Sequence, residues 1–403
     1  MEGLRDVEYL PEPTDRSIVS AVDPTVLDFQ NEWRSEVMGW APVQVEPIVR
    51  SHRSRGTITG MIAFAVFVSV SLLAWQNQWL VVALPLPDSE WAYEETNIRS
   101  LQEDGWSGEG VRLCMVDTGI DATHEALMDV EVVFKDLIGT SVTPMDYGVV
   151  AHGTLMSGIL LAGQHQQGAA PNVTFAMVAA LEDNGNGENA GLDSDVADAV
   201  KWCQFEFEAD IISLSLGGTP AVGENREGAS ASAVRQATDA GVYVVAAAGN
   251  DGQDDDGDVA SPGSVTLAIS VGATQKSGEI WANSSLGGPM TNAGEFRLSP
   301  HQKPEIVAPG QRIISTGGQN LWYSSSGTSD STVFVAGALA LILEANPNLK
   351  PQPDGDASCL IHVKEALQQS ARTQGASEHD EYFGYGSLDA KAWMEQSRLI
   401  SDC

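Results

Sequence analysis

Apolar residues recur along this chain in short continuous runs, and segments with helical periodicity lie between them. The five strand-like runs span residues 111–116, 173–181, 210–216, 242–248 and 266–273. The intervening segments predict helices near 152–162, 190–206 and 228–240. Continuous apolar strands that alternate with helices are typical of a mostly parallel sheet with helices on both faces. The pattern therefore predicts an α/β fold from about residue 90 onward.

One further apolar run stands apart from this alternation. Residues 57–75 contain no charged side chain, and about 20 helical residues cross the hydrocarbon core of a bilayer. A buried core helix and a cleaved signal peptide are the alternatives. The basic cluster at 50–56 disfavours a core helix, and the length of the run and its distance from the amino terminus disfavour a signal peptide. The run is predicted to be a transmembrane helix.

The charges around this run predict its orientation. Arg50, Arg53 and Arg55 precede it, and no Lys or Arg follows it before Arg99. Because positively charged flanks stay in the cytoplasm, the amino terminus is expected inside and the carboxyl-terminal part outside the cell membrane. The chain then divides into a largely flexible cytoplasmic tail with too few apolar residues for a core (1–56), a signal-anchor with its exit segment (57–84) and a folded domain (85–403).

The net charge of the chain limits the classes of molecule that the protein can bind. Asp and Glu number 55 against 21 Lys and Arg, which gives a net charge of −34. Such an acidic surface is either an ordinary self-repelling surface or that of a protein from a salty environment. It argues against nucleic acid as a partner, because phosphate binding needs a basic patch.

The four cysteines show no CxxC pair and no zinc-type spacing. Cys114 lies in an apolar strand and Cys203 on a predicted helix, so both are expected to be buried free thiols. Cys359 opens the last long helix and Cys403 ends the chain. A disulfide between these two is an open alternative outside the cytoplasm.

Four polar residues in short, distinctive runs supply the chemistry. Asp117 lies in VDTGID, His152 in HGT, Asn250 in AAAGN and Ser329 in SGTS. A carboxylate, an imidazole base, an amide donor and a serine nucleophile make a complete set for acyl transfer. The order Asp, His, Ser differs from the two other common orders of such triads.

These runs resemble those of the subtilisin-like serine proteases. The resemblance covers roughly residues 90–400 and includes four further motifs in the family's order: SLSLGG (213–218), SPGS (261–264), KPEIVAPG (303–310) and VAGALAL (335–341). It implies a subtilisin-like parallel sheet and a serine endopeptidase that acts on proteins or peptides. Together with the predicted span and its orientation, this gives an external catalytic domain anchored to the membrane through residues 57–75.

The resemblance also implies roles for individual residues. Asp117 would orient His152, which would act as general base toward Ser329, and Asn250 would donate to the oxyanion together with the Ser329 backbone N–H. His124 matches a non-catalytic histidine of the family. Six residues would bind substrate: Ser215, Leu216 and Gly217 as an added strand, and Ala247, Ala248 and Gly249 in a specificity pocket whose small residues suggest room for a sizeable apolar side chain.

The chain departs from the family at several positions. Asp330 follows the nucleophile where Met is usual, and Leu155 replaces a His. No room for a prodomain is expected between the apolar run and the catalytic domain. The acidic cluster Asp254–Asp258 lacks the spacing of an EF-hand, so a solvated loop is favoured there, calcium stays unassigned, and no cofactor or metal site is predicted.

Two rival hypotheses remain at this point. Asp330 and the missing prodomain would suit a catalytically weak or inactive pseudoprotease that binds peptides. If the basic cluster at 50–56 does not set the orientation of the span, the domain would instead lie inside the cell.

Overall fold

The computed structural model describes residues 8–9 (backbone only), 64–71, 73, 89–163, 165–218, 228–252, 258–291, 296–373, 378–401 and 403. Its strands in chain order are β1 (Glu8–Tyr9), β2 (Arg112–Asp117), β3 (Val132–Asp136), β4 (Thr174–Ala179), β5 (Glu182–Asp183), β6 (Asn189–Ala190), β7 (Ile211–Leu214), β8 (Tyr243–Ala247), β9 (Ile269–Thr274), β10 (Ile306–Pro309), β11 (Gln311–Gly317) and β12 (Leu321–Ser326).

The helices from residue 89 onward are α1 (Glu90–Glu95), α2 (Ile98–Glu103), α3 (His152–Leu161), α4 (Asp193–Phe205), α5 (Ala229–Asp239), α6 (Thr328–Ala345), α7 (Ser358–Ser370) and α8 (Ala390–Ser397). Short 3-10 turns occupy Val149–Ala151, Gly318–Asn320 and Pro347–Leu349. The three helices predicted near 152–162, 190–206 and 228–240 are therefore confirmed as α3, α4 and α5.

Seven parallel strands form the central sheet, in the spatial order β10-β9-β8-β7-β2-β4-β3. All five predicted strands are present, and β3 and β10 are added at the two edges. The chain winds from β2 first toward β3 and β4 and then crosses to β7, so that β2 lies at the topological switch point. In open sheets of this kind, ligands bind beside the carboxyl ends of the strands at that point.

Alternate side chains of β2 enter two different cores. Leu113 and Met115 belong to the core built around α3 and α6, whereas Cys114 and Val116 belong to the core on the opposite face, under α4 and α5. Helices therefore cover both faces of the sheet, as its continuous apolar strands predicted.

The cysteine pairing corrects one prediction. Cys114 and Cys203 are not free thiols but form a disulfide with a Cα–Cα distance of 5.8 Å. The reason is that Cys114 points toward α4, and Cys203 lies on the buried side of that helix. Cys359 and Cys403 also pair, with a Cα–Cα distance of 4.9 Å, so all four cysteines are bonded.

Within the described part of the chain, α6 is the helix whose length and hydropathy would suffice to span a membrane, but 89% of it is buried in the core. The predicted span 57–75 is described only at 64–71 and 73, which are helical. Apolar side chains there are exposed, including Phe64 and Phe67 at 68% each. The remainder of that span, and nearly all of the tail 1–56, lie outside the described residues.

Two contacts join the start of the chain and of the domain to the hairpin β11–β12. Strand β1 pairs in parallel with Tyr323–Ser324 of β12. Ser89, directly before α1, accepts a hydrogen bond from the Ile314 backbone N–H (2.8 Å) and donates to the Ile314 carbonyl (3.2 Å).

Candidate active site

The carboxyl end of β2 brings Asp117 to the amino terminus of α3. The Asp117 Oδ1 and His152 Nδ1 atoms are 2.7 Å apart, and both side chains are completely buried. Gly153 permits this approach, because a Cβ at that position would collide with the Gly119 carbonyl oxygen. The geometry fixes the His152 ring with Nε2 facing away from Asp117.

A second carboxylate, that of the half-buried Asp146, holds the two turns together. Asp146 accepts hydrogen bonds from the hydroxyls of Thr118 (2.7 Å) and Thr154 (2.6 Å). It also accepts from the backbone N–H groups of Gly148 and Thr154, each at 2.9 Å. Since Thr118 follows Asp117 and Thr154 lies two residues after His152, Asp146 sets the spacing of the buried pair. Nothing in the sequence around Asp146 indicated this role.

Several groups act on the charge of His152. Burial disfavours its protonated form, but the carboxylates of Asp117, Asp330 and Asp146 outweigh that effect and raise the pKa of His152 above its ordinary value. A base with a raised pKa is a stronger proton acceptor, and it needs a higher pH to be neutral.

Ser329 lies in the first turn of α6, where the helix dipole favours a developing negative charge. Its hydroxyl donates to the Ser215 carbonyl oxygen at 3.0 Å, and the Ser215 hydroxyl donates to the Ser329 carbonyl oxygen at 3.3 Å. The His152 Nε2 atom has no hydrogen-bond partner among the described residues. Such serine–histidine contacts often form only when substrate is bound.

Hydrogen bonds to its side-chain oxygen orient the Asn250 amide, and its side-chain nitrogen is left free. The Oδ1 atom accepts from the backbone N–H of Thr328 (2.9 Å) and from its hydroxyl (3.0 Å). The Nδ2 atom is buried and has no partner among the described residues. An oriented amide with an unused donor beside a serine hydroxyl is the arrangement that an oxyanion requires.

Asp330 places a carboxyl group at the position that follows Ser329 in the chain. Its side chain is fully buried, Oδ1 accepts a hydrogen bond from the Ser325 hydroxyl, and Oδ2 has no partner in the described part of the chain. Burial raises the pKa of Asp330 to about 7, against the opposing effects of Ser325 and of the His152 charge. This group therefore titrates in the same range as a histidine.

The six predicted substrate-binding residues lie in two segments beside this site. Ser215–Gly217 continues β7, and Ala247–Gly249 ends β8, so both segments emerge at the carboxyl edge of the sheet. All six residues are buried. Sequence reasoning missed Ala260 and Ser261, which connect the two segments through hydrogen bonds to Ala248 and Gly218.

The rival histidine is bound elsewhere. The Nδ1 atom of His124 accepts from the Ala126 backbone N–H at 3.1 Å, and Nε2 lies 3.2 Å from the Leu321 carbonyl oxygen. Both ring nitrogens are therefore occupied by backbone groups, away from Asp117.

Among the described residues, no group of three or more His, Cys, Asp or Glu side chains is arranged so that it could hold a metal ion. Most of the cluster Asp254–Asp258 lies outside those residues. Asp258 is described, and its two carboxylate oxygens bind Arg297 at 2.5 and 2.7 Å. The prediction of a solvated acidic loop at the remaining residues, with calcium unassigned, stays untested.

Comparison with known proteins agrees with this geometry. The model of the subtilase family matches residues 108–386. Serine protease AprX of Bacillus subtilis is 30% identical over 74% of this chain and 70% of its own length, and Subtilisin DY of Bacillus licheniformis is 29% identical over 72% and 93%. Minor extracellular protease Epr of Bacillus subtilis is 27% identical over 76% of this chain but only 42% of its own length. With more than half of its length matched by the family model, the chain belongs to the subtilase family of serine proteases.

Proposed function

We propose that this protein is a serine endopeptidase that cleaves proteins or peptides through an acyl-enzyme intermediate. The observation that carries this proposal is the arrangement at one sheet edge of two unpartnered nitrogen atoms and one serine hydroxyl. They are the free Nε2 of His152, the free Nδ2 of Asn250 and the hydroxyl of Ser329, beside the buried Asp117–His152 pair.

In the proposed reaction, substrate binding turns the Ser329 hydroxyl from the Ser215 carbonyl toward His152. His152 Nε2 takes the hydroxyl proton as Ser329 Oγ attacks the scissile carbonyl carbon, and Asp117 stabilises the resulting imidazolium. The oxyanion accepts from Asn250 Nδ2 and from the Ser329 backbone N–H. His152 then protonates the leaving amine, and a water molecule activated by the same imidazole hydrolyses the acyl-enzyme.

Fluorophosphonate labelling of the full chain in detergent tests this proposal. The reagent should modify the wild-type protein, and Ser329→Ala should abolish both labelling and peptide hydrolysis without lowering Tm. Because the surface is strongly acidic, labelling should be measured at low and high salt. Hydrolysis that persists in Ser329→Ala would contradict the proposal.

A peptide-binding pseudoprotease is the second candidate. Two observations favour it: Ser329 donates to Ser215 rather than to His152, and a buried carboxyl group, Asp330, directly follows Ser329 in the chain. Folded protein that binds peptides but does not react with the fluorophosphonate at either salt concentration would establish this candidate instead.

We further propose that residues 57–75 anchor the protein in the cell membrane once, with the amino terminus in the cytoplasm and the catalytic domain outside. The uncharged run, the exposed apolar side chains of helical residues 64–71 and the two disulfides support this topology, because disulfides persist in oxidising compartments. The pairing of β1 with β12 instead favours a topology in which the amino terminus and the catalytic domain lie on the same side of the membrane, because paired strands must lie together.

Protease protection distinguishes the two topologies. An epitope at the amino terminus should survive external protease on intact cells while the catalytic domain is digested. If the epitope and the domain are cleaved together, or are protected together, the single-span topology is wrong.

A further inference from the structure

Tyr93 lies in α1, the first helix of the folded domain, and its side chain is completely buried. Its hydroxyl donates a hydrogen bond to the Ile159 carbonyl oxygen of α3 at 3.1 Å. Its ring packs edge-to-face against Phe334 of α6, with 4.9 Å between the ring centroids. One side chain therefore contacts both of the helices whose amino-terminal turns carry His152 and Ser329.

The Ile159 carbonyl lies in the last turn of α3, where backbone carbonyls lack partners within the helix. The backbone N–H of Gly163, which would reach this carbonyl in a longer helix, donates to the Ala126 carbonyl instead, at 3.0 Å. The Tyr93 hydroxyl and the backbone N–H of Ala169 (2.9 Å) bind the Ile159 carbonyl in its place. The carboxyl end of α3 is thus held by a side chain of α1 as well as by the loop that follows α3.

Neighbouring side chains hold Tyr93 itself in position. Nε2 of Gln166 donates to the Tyr93 hydroxyl oxygen at 3.0 Å, so the hydroxyl proton is directed toward α3. Arg99 of α2 covers the ring, with its Cζ atom 4.0 Å from the ring centroid, and donates to the Gln167 carbonyl at 2.8 Å. Because the ring and the hydroxyl are both held, Tyr93 cannot shift without breaking these contacts.

The relative position of α3 and α6 matters for the proposed reaction. His152 Nε2 must approach Ser329 Oγ when substrate binds, and a displacement of about 1 Å between reacting groups can lower a rate by about 100-fold. Tyr93 contacts α3 at Ile159, about two turns after His152, and α6 at Phe334, little more than one turn after Ser329. Since Tyr93 is fully buried, it acts on these two helices and not on the substrate.

We propose that Tyr93 is a positioning residue, which sets the spacing of α3 and α6 and thereby the approach of His152 to Ser329. This inference rests on the proposed peptidase function and deepens it. It makes α1, the first helix after the predicted membrane anchor, part of the framework that holds the proposed base and nucleophile. Docking of α1 is then a condition for full activity.

The substitution Tyr93→Phe tests the inference, because it keeps the ring against Phe334 and removes the hydrogen bond to Ile159. With the full chain in detergent, kcat for a fluorogenic peptide should fall by about 10-fold or more, while KM stays unchanged because no substrate contact is lost. The rate of fluorophosphonate labelling should fall by the same factor.

Tyr243→Phe is the matched control. Tyr243 is also fully buried, and its hydroxyl also donates to a backbone carbonyl, that of Leu349, at 2.7 Å. It begins β8 and so lies at the amino edge of the sheet, opposite the proposed site. This variant should lower Tm to a similar extent but keep the wild-type kcat. A wild-type kcat in Tyr93→Phe, or an equal loss of kcat in the two variants, would overturn the inference.

Gln166→Met supplies a second variant, which counts even if Tyr93→Phe does not fold. It removes the donor that orients the Tyr93 hydroxyl and should lower kcat by a smaller factor, again at constant KM. An unchanged kcat in this folded variant would also speak against the positioning role. Absence of fluorophosphonate labelling in the wild-type protein would show instead that the peptidase proposal itself had failed.

Discussion

Thr328 binds the side-chain oxygen of Asn250 twice, once through its backbone N–H and once through its hydroxyl. This relationship decides which end of the Asn250 amide faces the cleft. It also links Asn250, the proposed oxyanion donor, to the residue directly before Ser329, the proposed nucleophile.

Removal of this donor should impair the chemical step rather than binding. We expect Asn250→Ala to lower kcat by about 10²–10³-fold with little change in KM, a magnitude known for such a donor in subtilisin itself. Thr328→Val keeps the backbone donor but loses the hydroxyl, so the loss should be smaller. Steady-state kinetics check both variants, and a rise in KM at constant kcat would speak against an oxyanion role.

The carboxyl group of Asp330 should shape the pH profile. Its charge is one of those that raise the pKa of His152, so Asp330→Asn should lower that pKa. Because His152 must be neutral to act as base, the acid limb of the profile of kcat/KM should move to lower pH. Asp129→Asn removes an equal charge from an exposed position and serves as the control. An unchanged acid limb in Asp330→Asn would exclude this coupling.

The same substitution should change the pH dependence of stability. Burial raises the folded-state pKa of Asp330 to about 7, above the unfolded value of about 4. The folded protein therefore binds this proton more tightly than the unfolded chain does. As a result, the free energy of unfolding falls as pH rises between these two values. The Tm of Asp330→Asn should therefore rise relative to that of the wild type between pH 4 and 7, by the equivalent of up to about 4 kcal/mol. A constant Tm difference across that range would contradict the buried, titrating carboxyl.

The disulfide between Cys114 and Cys203 should stabilise the domain strongly. It joins the central strand to α4 across a sequence separation of 89 residues, and cross-links of this kind contribute about 2–4 kcal/mol. The pair Cys114→Ala and Cys203→Ala should lower the urea midpoint accordingly. Alkylation of the denatured, unreduced wild-type protein, followed by mass spectrometry, should find no free thiol. Labelling of Cys114 or Cys203 would disprove the bond.

Most of the fold could be predicted because its strands are apolar throughout and its helices separate them. Strand β3 escaped prediction, since it is an edge strand with Lys135 and Asp136 in a half-buried pattern. The Cys114–Cys203 bond also escaped, because it depends on which face of β2 Cys114 occupies and which turn of α4 carries Cys203. That information lies in the register of packed elements and not in local sequence.

The polar residues of the site could be placed from their motifs, since each motif supplies one turn at the end of a strand or the start of a helix. The supporting residues could not. Asp146 matters because Thr118 and Thr154 meet in space, and residues 260–261 matter because they bind Ala248 and Gly218, which follow separate strands. Such roles arise only from tertiary contacts.

The hydrogen bonds between Ser89 and Ile314 connect the segment before the domain mechanically to the strands that lead to Ser329. Tension applied to the segment before Ser89 would pass into β11, along the hairpin to β12 and into the turn at Gly327. If residues 57–75 hold the protein in a membrane, tension from the anchor would thus reach the strand pair that leads to Ser329.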